Sequence, residues 1–591
     1  MPKSKSELLC RILKEIKKNN ICGHPILIDK LPFNIEQSNQ IYCLNENLEL
    51  NVEHVALTLL SGVRNVIIHL NNHQLTIHKD QTVISCTNNE NIIFSNGSIQ
   101  SDDALSNTSV LIENSSQLVF DNITFIGSVR ALSILSQTDK SKNIRVSNCT
   151  FNLTNPSAQT IRMNAINGLI VEDSEFGPGA ALGINLRNNA LNVNIRRCNF
   201  SSQNLRAINI QSLVTGNGNI LMYQSSNIFV QECNFYDNVD DVVFLGSSNC
   251  HVYKCNFSQT EFSQRSVVFT AGQSNFIITT SISDNLLVDH CNFNSKSYTG
   301  LFIQLGGSVD GELGKTAKIT NCNFTHKSTD VPIEIPNLFD PISVNNADNV
   351  IIDGCIFNDN ATGRTLDGHL YDFAGVPLRC ANIHIGSLLV KLVNDELIIS
   401  GGSNNNNIQV RNSVFNGNQT GIYCETGVPN YLTGLSIPNQ NITLRDNNIS
   451  AFETGIQFDN TQASTIENNK LNNIQGNTYT KGNGIVLNAA TEANPVSVSN
   501  FNILSNNNLS NNTGTGIKVY SINNILNNNK LINNLSGGIC AVGNNTLTDN
   551  ITINNGICQL NLTNNADISD NINLKKIAES IVDKYQKLST N

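Results

Sequence analysis

The sequence predicts an all-β solenoid of short parallel strands wound into about sixteen coils, and three observations carry that prediction. One short motif, an apolar residue, two polar residues, a Cys, any residue and a Phe, recurs along most of the 591 residues. Within each copy the apolar positions alternate with a period of two, the period of a strand and not of a helix. Asn makes up about a sixth of the chain and holds fixed places in the repeat, several-fold above ordinary globular usage.

The copies read Ile144-Arg-Val-Ser-Asn-Cys149-Thr-Phe151, Val193-Asn-Ile-Arg-Arg-Cys198-Asn-Phe200, Ile228-Phe-Val-Gln-Glu-Cys233-Asn-Phe235, Leu286-Leu-Val-Asp-His-Cys291-Asn-Phe293 and Lys318-Ile-Thr-Asn-Cys322-Asn-Phe324. Cys255 with Phe257 and Cys355 with Phe357 fit as well. Ile123 with Phe125, Ser174 with Phe176 and Ser413 with Phe415 keep the aromatic residue. Upstream, His73 with Leu75 and Gly97 with Ile99 extend the pattern; downstream the slots hold Asn447 and Ile449, Asn469 and Leu471, Asn507 and Leu509, Asn529 and Leu531. The spacing is mostly some 22 to 26 residues and otherwise longer, as expected where loops enter a constant unit.

The residue before the Cys slot is Asn72, Asn96, Asn122, Asn148, Asp173, Asn321, Gly354, Asn412, Asp446, Asn468, Asn506 or Asn528. These residue types tolerate left-handed backbone angles, so a tight bend is expected there. A further strand, often announced by Gly-Ile as at Gly183, Gly421, Gly455, Gly484 and Gly516, lies upstream of each bend. Three strands in so few residues make one turn of a solenoid, with neighbouring turns about 4.8 Å apart and a rod of roughly 75–80 Å. Phe stacks on Phe and Asn on Asn along the axis.

Composition narrows the function classes. A formal charge of −10 without a basic stripe argues against a nucleic-acid surface. The N-terminus lacks the apolar run and cleavage site of a Sec signal, and no stretch of about 20 apolar residues appears, so neither a secreted precursor nor a membrane span is expected. The sixteen Cys form no CxxC pair and most recur at one repeat position. They read as reduced core thiols, and the chain as made in the cytoplasm and kept in a reducing compartment. Asn-x-Ser/Thr sequons such as Asn148-Cys-Thr arise from turn Asn beside strand residues and carry little weight. No His pair has zinc-ligand spacing.

The segment Asn65-Val-Ile-Ile-His-Leu-Asn-Asn-His-Gln-Leu-Thr-Ile77 and the ladder copies from Asn143 to Phe415 resemble the right-handed parallel β-helix repeat proteins of the pectate-lyase-like superfamily, over roughly residues 40 to 560. The resemblance implies a right-handed, single-stranded parallel β-helix. For function it is close to silent, since this fold hosts lyases, hydrolases, esterases, adhesins, tailspikes and virion proteins. Unsecreted, Asn-rich members resemble proteins of giant viruses and intracellular bacteria, which makes a virion component or a host-directed protein the expected context.

A solenoid must cap its end strands. Residues 4–19 place Leu8, Leu9, Ile12 and Ile16 on one helical face with Ser4 or Ser6 as N-cap, and residues 570–588 do the same with Leu574, Ile577, Ile581, Tyr585 and Leu588. Both are expected as capping helices, the second with a coiled-coil, oligomerising role as its alternative. The chain divides into a capping region 1–64, the β-helix 65–535 and the last coils with the C-terminal helix 536–591. The longest excursion, 358–407, carries His369, Tyr371, Asp372, His384 and an apolar strand pair around Leu389–Ile399, and is expected to pack outside the rod as a candidate partner contact.

Three constellations bear on chemistry. Asp289-His290 looks like the Ile-Asp-His motif of pectate lyases but falls on the bend, and the catalytic Arg motif of that family has no counterpart. Asp240-Asp241 looks like the paired Asp of polygalacturonases and suits acid–base work or Ca²⁺, yet the Gly-His-Gly and Arg-Ile-Lys motifs are missing. Alternation places Arg162, Asn164, Asn185, Arg187, Asn209 and Gln211 outward on consecutive turns, with Asp240 and Asp241 one coil further: a polar shelf suited to sugar hydroxyls or uronates. The expected function is a non-catalytic surface for polysaccharide or protein partners, without cofactor. The alternative is a polysaccharide lyase or hydrolase in which Arg162 or Arg187 is the base, Asp240 and Asp241 assist, and Ca²⁺ enters.

Overall fold

The structure, a computed structural model, describes residues 25–78, 81–101, 108–127, 129–135, 141–212, 225–260, 265–270, 283–296, 299–306, 314–327, 338–345, 347–360, 370–371, 377–378, 380–386, 389–393, 396–400, 405–424, 438–451, 453–476, 482–488, 499–556, 558–563, 567–569 and 572–573. The chain is a right-handed parallel β-helix. It forms two compact units, residues 1–257 with 274–281, and residues 258–273 with 282–591.

Each coil contributes three strands. In the first unit the first wall runs from Phe33–Ile35 through Leu57–Leu59, Ile84–Thr87, Thr108–Glu113, Arg130–Leu135, Gln159–Asn164, Leu182–Arg187 and Arg206–Gln211 to Asp240–Leu245, every pair parallel. The second wall includes Ser141–Ser147, Ile166–Glu172, Leu191–Arg196 and Ser225–Gln231, and the third Thr150–Asn152, Glu175–Phe176, Asn199–Ser201 and Asn234–Tyr236. In the second unit the first wall runs from Arg265–Thr270 through Thr299–Gly306, Ile342–Asn345, Ala381–Ile385, Thr420–Cys424, Thr454–Phe458, Asn483–Leu487, Thr515–Val519 and Gly537–Val542 to Cys558–Thr563.

Between the second and third walls the chain turns in two residues in most coils, and the first of them has positive φ. All twelve bend residues named from the sequence adopt it, for example Asn148 (54°), Asp173 (51°), Gly354 (65°) and Asn528 (53°). Arg197, Glu232, Lys254 and His290 adopt it as well, although their side chains do not favour it. The sequence did not show a second positive-φ column, where the chain enters the second wall: Asn65, Asn91, Gln117, Asn143, Asn192 and Asn227.

The core follows the repeat. Phe125, Phe151, Phe176, Phe200, Phe235 and Phe257 stack face to face at centroid spacings of 4.4 to 5.1 Å in the first unit. In the second, Phe293, Phe324, Phe357 and Phe415 do so at 4.7 to 4.8 Å, and Ile449, Leu471, Leu509 and Leu531 continue the register. The ladder begins one rung earlier than the sequence pattern, at Leu48 opposite Leu75, and its register runs two further, to Thr552 opposite Leu531 and Asn573 opposite Thr552. The Gly of each Gly-Ile pair makes room for it: a Cβ at Gly455 would lie 2.5 Å from Leu471 Cδ2, and one at Gly484 2.4 Å from Leu509 Cδ2.

Parallel pairing already starts at Ile26–Ile28, within the segment assigned to capping. The capping helices at 4–19 and 570–588 lie outside the described residues apart from Ile572–Asn573, which is a strand. Among the described residues there is no helix at all, and so none long and apolar enough to cross a membrane. The 358–407 excursion is interrupted by Ala381–Ile385, a first-wall strand of the solenoid itself. Leu389–Val393 and Glu396–Ser400 form an antiparallel pair beyond it.

Candidate functional site

The second-to-third-wall bend stays short among the described coils: Ser147 to Thr150, Glu172 to Glu175, Arg411 to Val414 and Asn527 to Lys530 all skip two residues, and the first coils, Leu44 to Leu48 and His69 to Gln74, skip three and four. The connections flanking the first wall vary widely. Asn164 leads to Ile166 but Gln211 to Ser225, Thr270 to Asp284, Cys424 to Asn439; on the other edge Phe176 leads to Leu182 but Asp359 to Ala381. A rigid sheet edged by variable connections is where such a scaffold carries recognition.

The sequence-predicted shelf lies on this wall in the first unit. Register places Arg162 opposite Asn185 and Asn185 opposite Asn209, and Asn164 opposite Arg187 and Arg187 opposite Gln211. Asn185 and Asn209 are buried. Asn209 Nδ2 donates to Asn185 Oδ1 at 2.8 Å and Asn185 Nδ2 to Gln159 Oε1 at 2.8 Å. Arg206 Nη1 donates to Asn209 Oδ1 at 2.8 Å, and its Nε lies 3.4 Å from Asp240 Oδ2. These two amides therefore position Gln159 and Arg206 from beneath, while Arg162, Asn164, Arg187 and Gln211 are half-buried and reach the surface.

The Asp pair is not presented to solvent. Asp240 is 2% and Asp241 1% exposed. Asp241 is registered beside Ala207 and Gly183, and a Cβ at Gly183 would lie 3.2 Å from the Phe200 ring. That column faces the Phe ladder, because strict alternation does not hold at the first two residues of a first-wall strand. Asp241 Oδ1 accepts from Asn238 Nδ2 at 2.9 Å, and Asn238 Oδ1 accepts the Gln203 N–H at 2.9 Å. The outward placement expected for Asp241 is thus corrected.

Sequence reasoning missed Arg130, on the coil before Arg162. Alternation hid it: it stands two residues before Leu132, which is registered with the inward Ile161, and so reads as inward. Its pKa is lowered by burial and then by the Arg162 charge, and that of Arg187 by the same two causes. The Nε atoms of Arg130, Arg162 and Arg187 and the Oδ1 of Asn164 are all buried without a hydrogen-bond partner.

The other constellations are structural. Asp289 Oδ1 lies 2.9 Å from His290 Nδ1 and accepts from Thr320 Oγ1 at 2.6 Å and Asn321 Nδ2 at 3.3 Å. Burial raises its pKa, but these donors outweigh it and hold the carboxyl below its ordinary value. It is a bend rung. In the second unit His384 lies on the first wall with Nδ1 3.7 Å from Asp340 Oδ2 and its ring 5.2 Å from that of Tyr423, whose hydroxyl donates to Asp459 at 2.6 Å. His369, Asp372 and the side chain of Tyr371 lie outside the described residues. No group of three His, Cys, Asp or Glu suited to a metal ion occurs among the described residues.

No family model matches the chain, and no curated protein matches it in sequence. Among solved structures it is similar to the surface adhesin PfbA of Streptococcus pneumoniae, with 12% identity, a TM-score of 0.33 and coverage of 76% of this chain and 84% of that one. It is similar to the A-module of the Azotobacter vinelandii mannuronan C-5 epimerase AlgE6, with 11% identity, a TM-score of 0.30 and coverage of 75% and 89%. The bacteriophage CBA120 tailspike protein 3 follows at 14% identity, a TM-score of 0.28 and 62% coverage of each chain. At these values the likeness carries nothing about ligands, and the strand register itself shows the chain to be a parallel β-helix.

Proposed function

We propose that this β-helix binds polysaccharide on the first wall of its first unit and does not cleave it. The observation that carries the reading is the distribution of chain length: a bend of two to four residues between the second and third walls, and far more variable connections along both edges of the first wall. Between those edges Gln159, Arg162, Asn164, Arg187 and Gln211 offer amide and guanidinium groups at coil spacing, the donor and acceptor set that sugar hydroxyls need.

The chemistry expected of a lyase or hydrolase finds less support here. Acid–base catalysis at a glycosidic bond requires a carboxyl that reaches the substrate, and Asp240 and Asp241 are buried and bonded to Arg206 and Asn238. The test is a panel of neutral and acidic polysaccharides with two readouts, binding by the full chain and release of reducing ends or unsaturated products with Ca²⁺ or EDTA. Binding without product is expected. Product formation abolished by Asp240→Asn in a folded variant, or binding of none of the polysaccharides, overturns the reading.

A further inference from the structure

Most other arginines among the described residues meet carboxylates, while Arg265 bonds to Gln304 Oε1 at 2.9 Å. Arg64 lies 3.7 Å from Glu90, Arg206 3.4 Å from Asp240, and Arg411 3.0 Å from Asp353. The fully buried Glu172 collects Arg145, Arg196 and Arg197, and Arg197 also lies 2.8 Å from Asp173. Arg130, Arg162 and Arg187 stand apart as a group. They occupy three consecutive coils of one wall, among the described residues no ion pair joins any of them to a carboxylate, and each keeps a buried Nε without an acceptor.

Such an arrangement is costly to the fold alone. Like charges crowd in a partly desolvated place, and each donor withheld from both water and protein carries an uncompensated desolvation cost. A chain with net charge −10 and 47 acidic residues had carboxylates to spend on neutralising it. Local conflicts of this kind concentrate where a ligand completes the structure.

We infer that the Arg130–Arg162–Arg187 cluster is an anion-binding site and that the polysaccharide held on the first wall is polyanionic, bearing carboxylate or sulfate groups along its length. The inference rests on the reading of that wall as the glycan face and adds the charge class of the ligand. Guanidinium groups pair with both anions through two parallel N–H bonds. Arg162 lies between the other two, and its charge acts on both, so adjacent anionic groups of one polymer can engage all three. Asn164 Oδ1, the buried acceptor registered opposite Arg187, is placed for a hydroxyl of the same sugar.

The experiment measures binding of the full chain to polygalacturonate, dextran sulfate and neutral dextran of matched length, and to inorganic sulfate, between 50 and 500 mM NaCl. The charged polymers are expected to bind at least about tenfold tighter than dextran at low salt, and to weaken as salt screens the contact. The triple variant Arg130→Gln, Arg162→Gln, Arg187→Gln is expected to lose about tenfold or more for the charged polymers while melting no lower than the wild type, because it relieves repulsion. Preference for polygalacturonate over dextran sulfate, or the reverse, assigns the anion. Equal binding of dextran and the charged polymers, or a folded triple variant within twofold of the wild type on both, overturns the charge inference and leaves the glycan face standing. Tight binding of poly-glutamate with none of the three polysaccharides overturns both.

Discussion

Asn469 Oδ1 accepts the backbone N–H and the Nδ2 of Asn447, on the coil before it, at 3.0 Å each. Asn469 then donates its own N–H to Asn507 Oδ1 at 3.0 Å, and Asn507 to Asn529 and Asn529 to Asn550 repeat the step. The slot needs an acceptor because the N–H at the bend has no strand partner. Ser174 supplies it for Cys149 and Ser413 for Cys355, each at 3.1 Å, and in the thiol-rich coils sulfur replaces it, as where the Ser174 N–H meets Cys198.

Asn507→Ala removes two accepted and two donated bonds from a site with 0% exposure. It is expected to destabilise the second unit by about 2–4 kcal/mol. Asn507→Ser keeps the acceptor and should lose about half as much. Urea denaturation of the two variants gives the comparison, and equal losses would place the stability in the Nδ2 donations instead.

Gly421→Ala brings a Cβ within 2.5 Å of the Gly455 carbonyl oxygen and 2.6 Å of Ile449 Cγ2. A loss of about 1–3 kcal/mol is expected from overpacking. Gly354→Asn, at a bend with φ of 65° where other coils carry Asn, should change stability by less than about 0.5 kcal/mol. Differential scanning calorimetry distinguishes a packing glycine from a conformational one.

Glu172→Ala leaves Arg145, Arg196 and Arg197 facing an empty buried site. Breaking a buried ion cluster from one side costs about 3–5 kcal/mol. The variant should unfold at lower urea than Glu172→Gln, which retains an acceptor.

Burial pushes the Cys149 thiol up to about 12 from an ordinary 9. The unfolded chain loses this proton near pH 9 and the folded chain only near 12, so the stabilisation is complete below pH 9 and declines as pH rises between the two values. The slope from this thiol approaches about 1.4 kcal/mol per pH unit. Urea midpoints from pH 8 to 11 should fall, and fall less steeply in Cys149→Ser.

His290→Asn tests whether the Asp289–His290 pair is a bend or a site. His290 holds φ at 54° with its side chain about half exposed, and Asn is better suited to that angle. The melting temperature should rise slightly and polysaccharide binding stay unchanged; a loss of binding would give the pair a ligand.

The repeat was legible because its signals are local and periodic. Asn148 or Asn528 announces a left-handed bend by residue type alone, and the Phe and Leu slots announce the core by alternation. Arg197, Lys254 and His290 show the limit: stacked neighbours impose the same angle on residues that do not prefer it. The shelf was legible where alternation holds, at Arg162, Asn164 and Arg187. It misled at Asp241, since the corner entering the first wall turns two successive side chains inward, and it missed Arg130 at that same corner. The strand Ala381–Ile385 was hidden because the chain leaves the coil and returns within one long insertion, and its sequence, Ala-Asn-Ile-His-Ile, lacks the Gly-Ile signature.

The Asn ladders are directional: each coil's bend N–H is accepted by the coil that follows it in sequence. A coil is therefore complete only once its successor has been made. On a ribosome the newest coil always carries the open donors, and the next stretch of nascent chain closes them in order. Vectorial synthesis and ladder polarity run the same way, so each coil waits for a neighbour only some twenty to sixty residues behind it in translation.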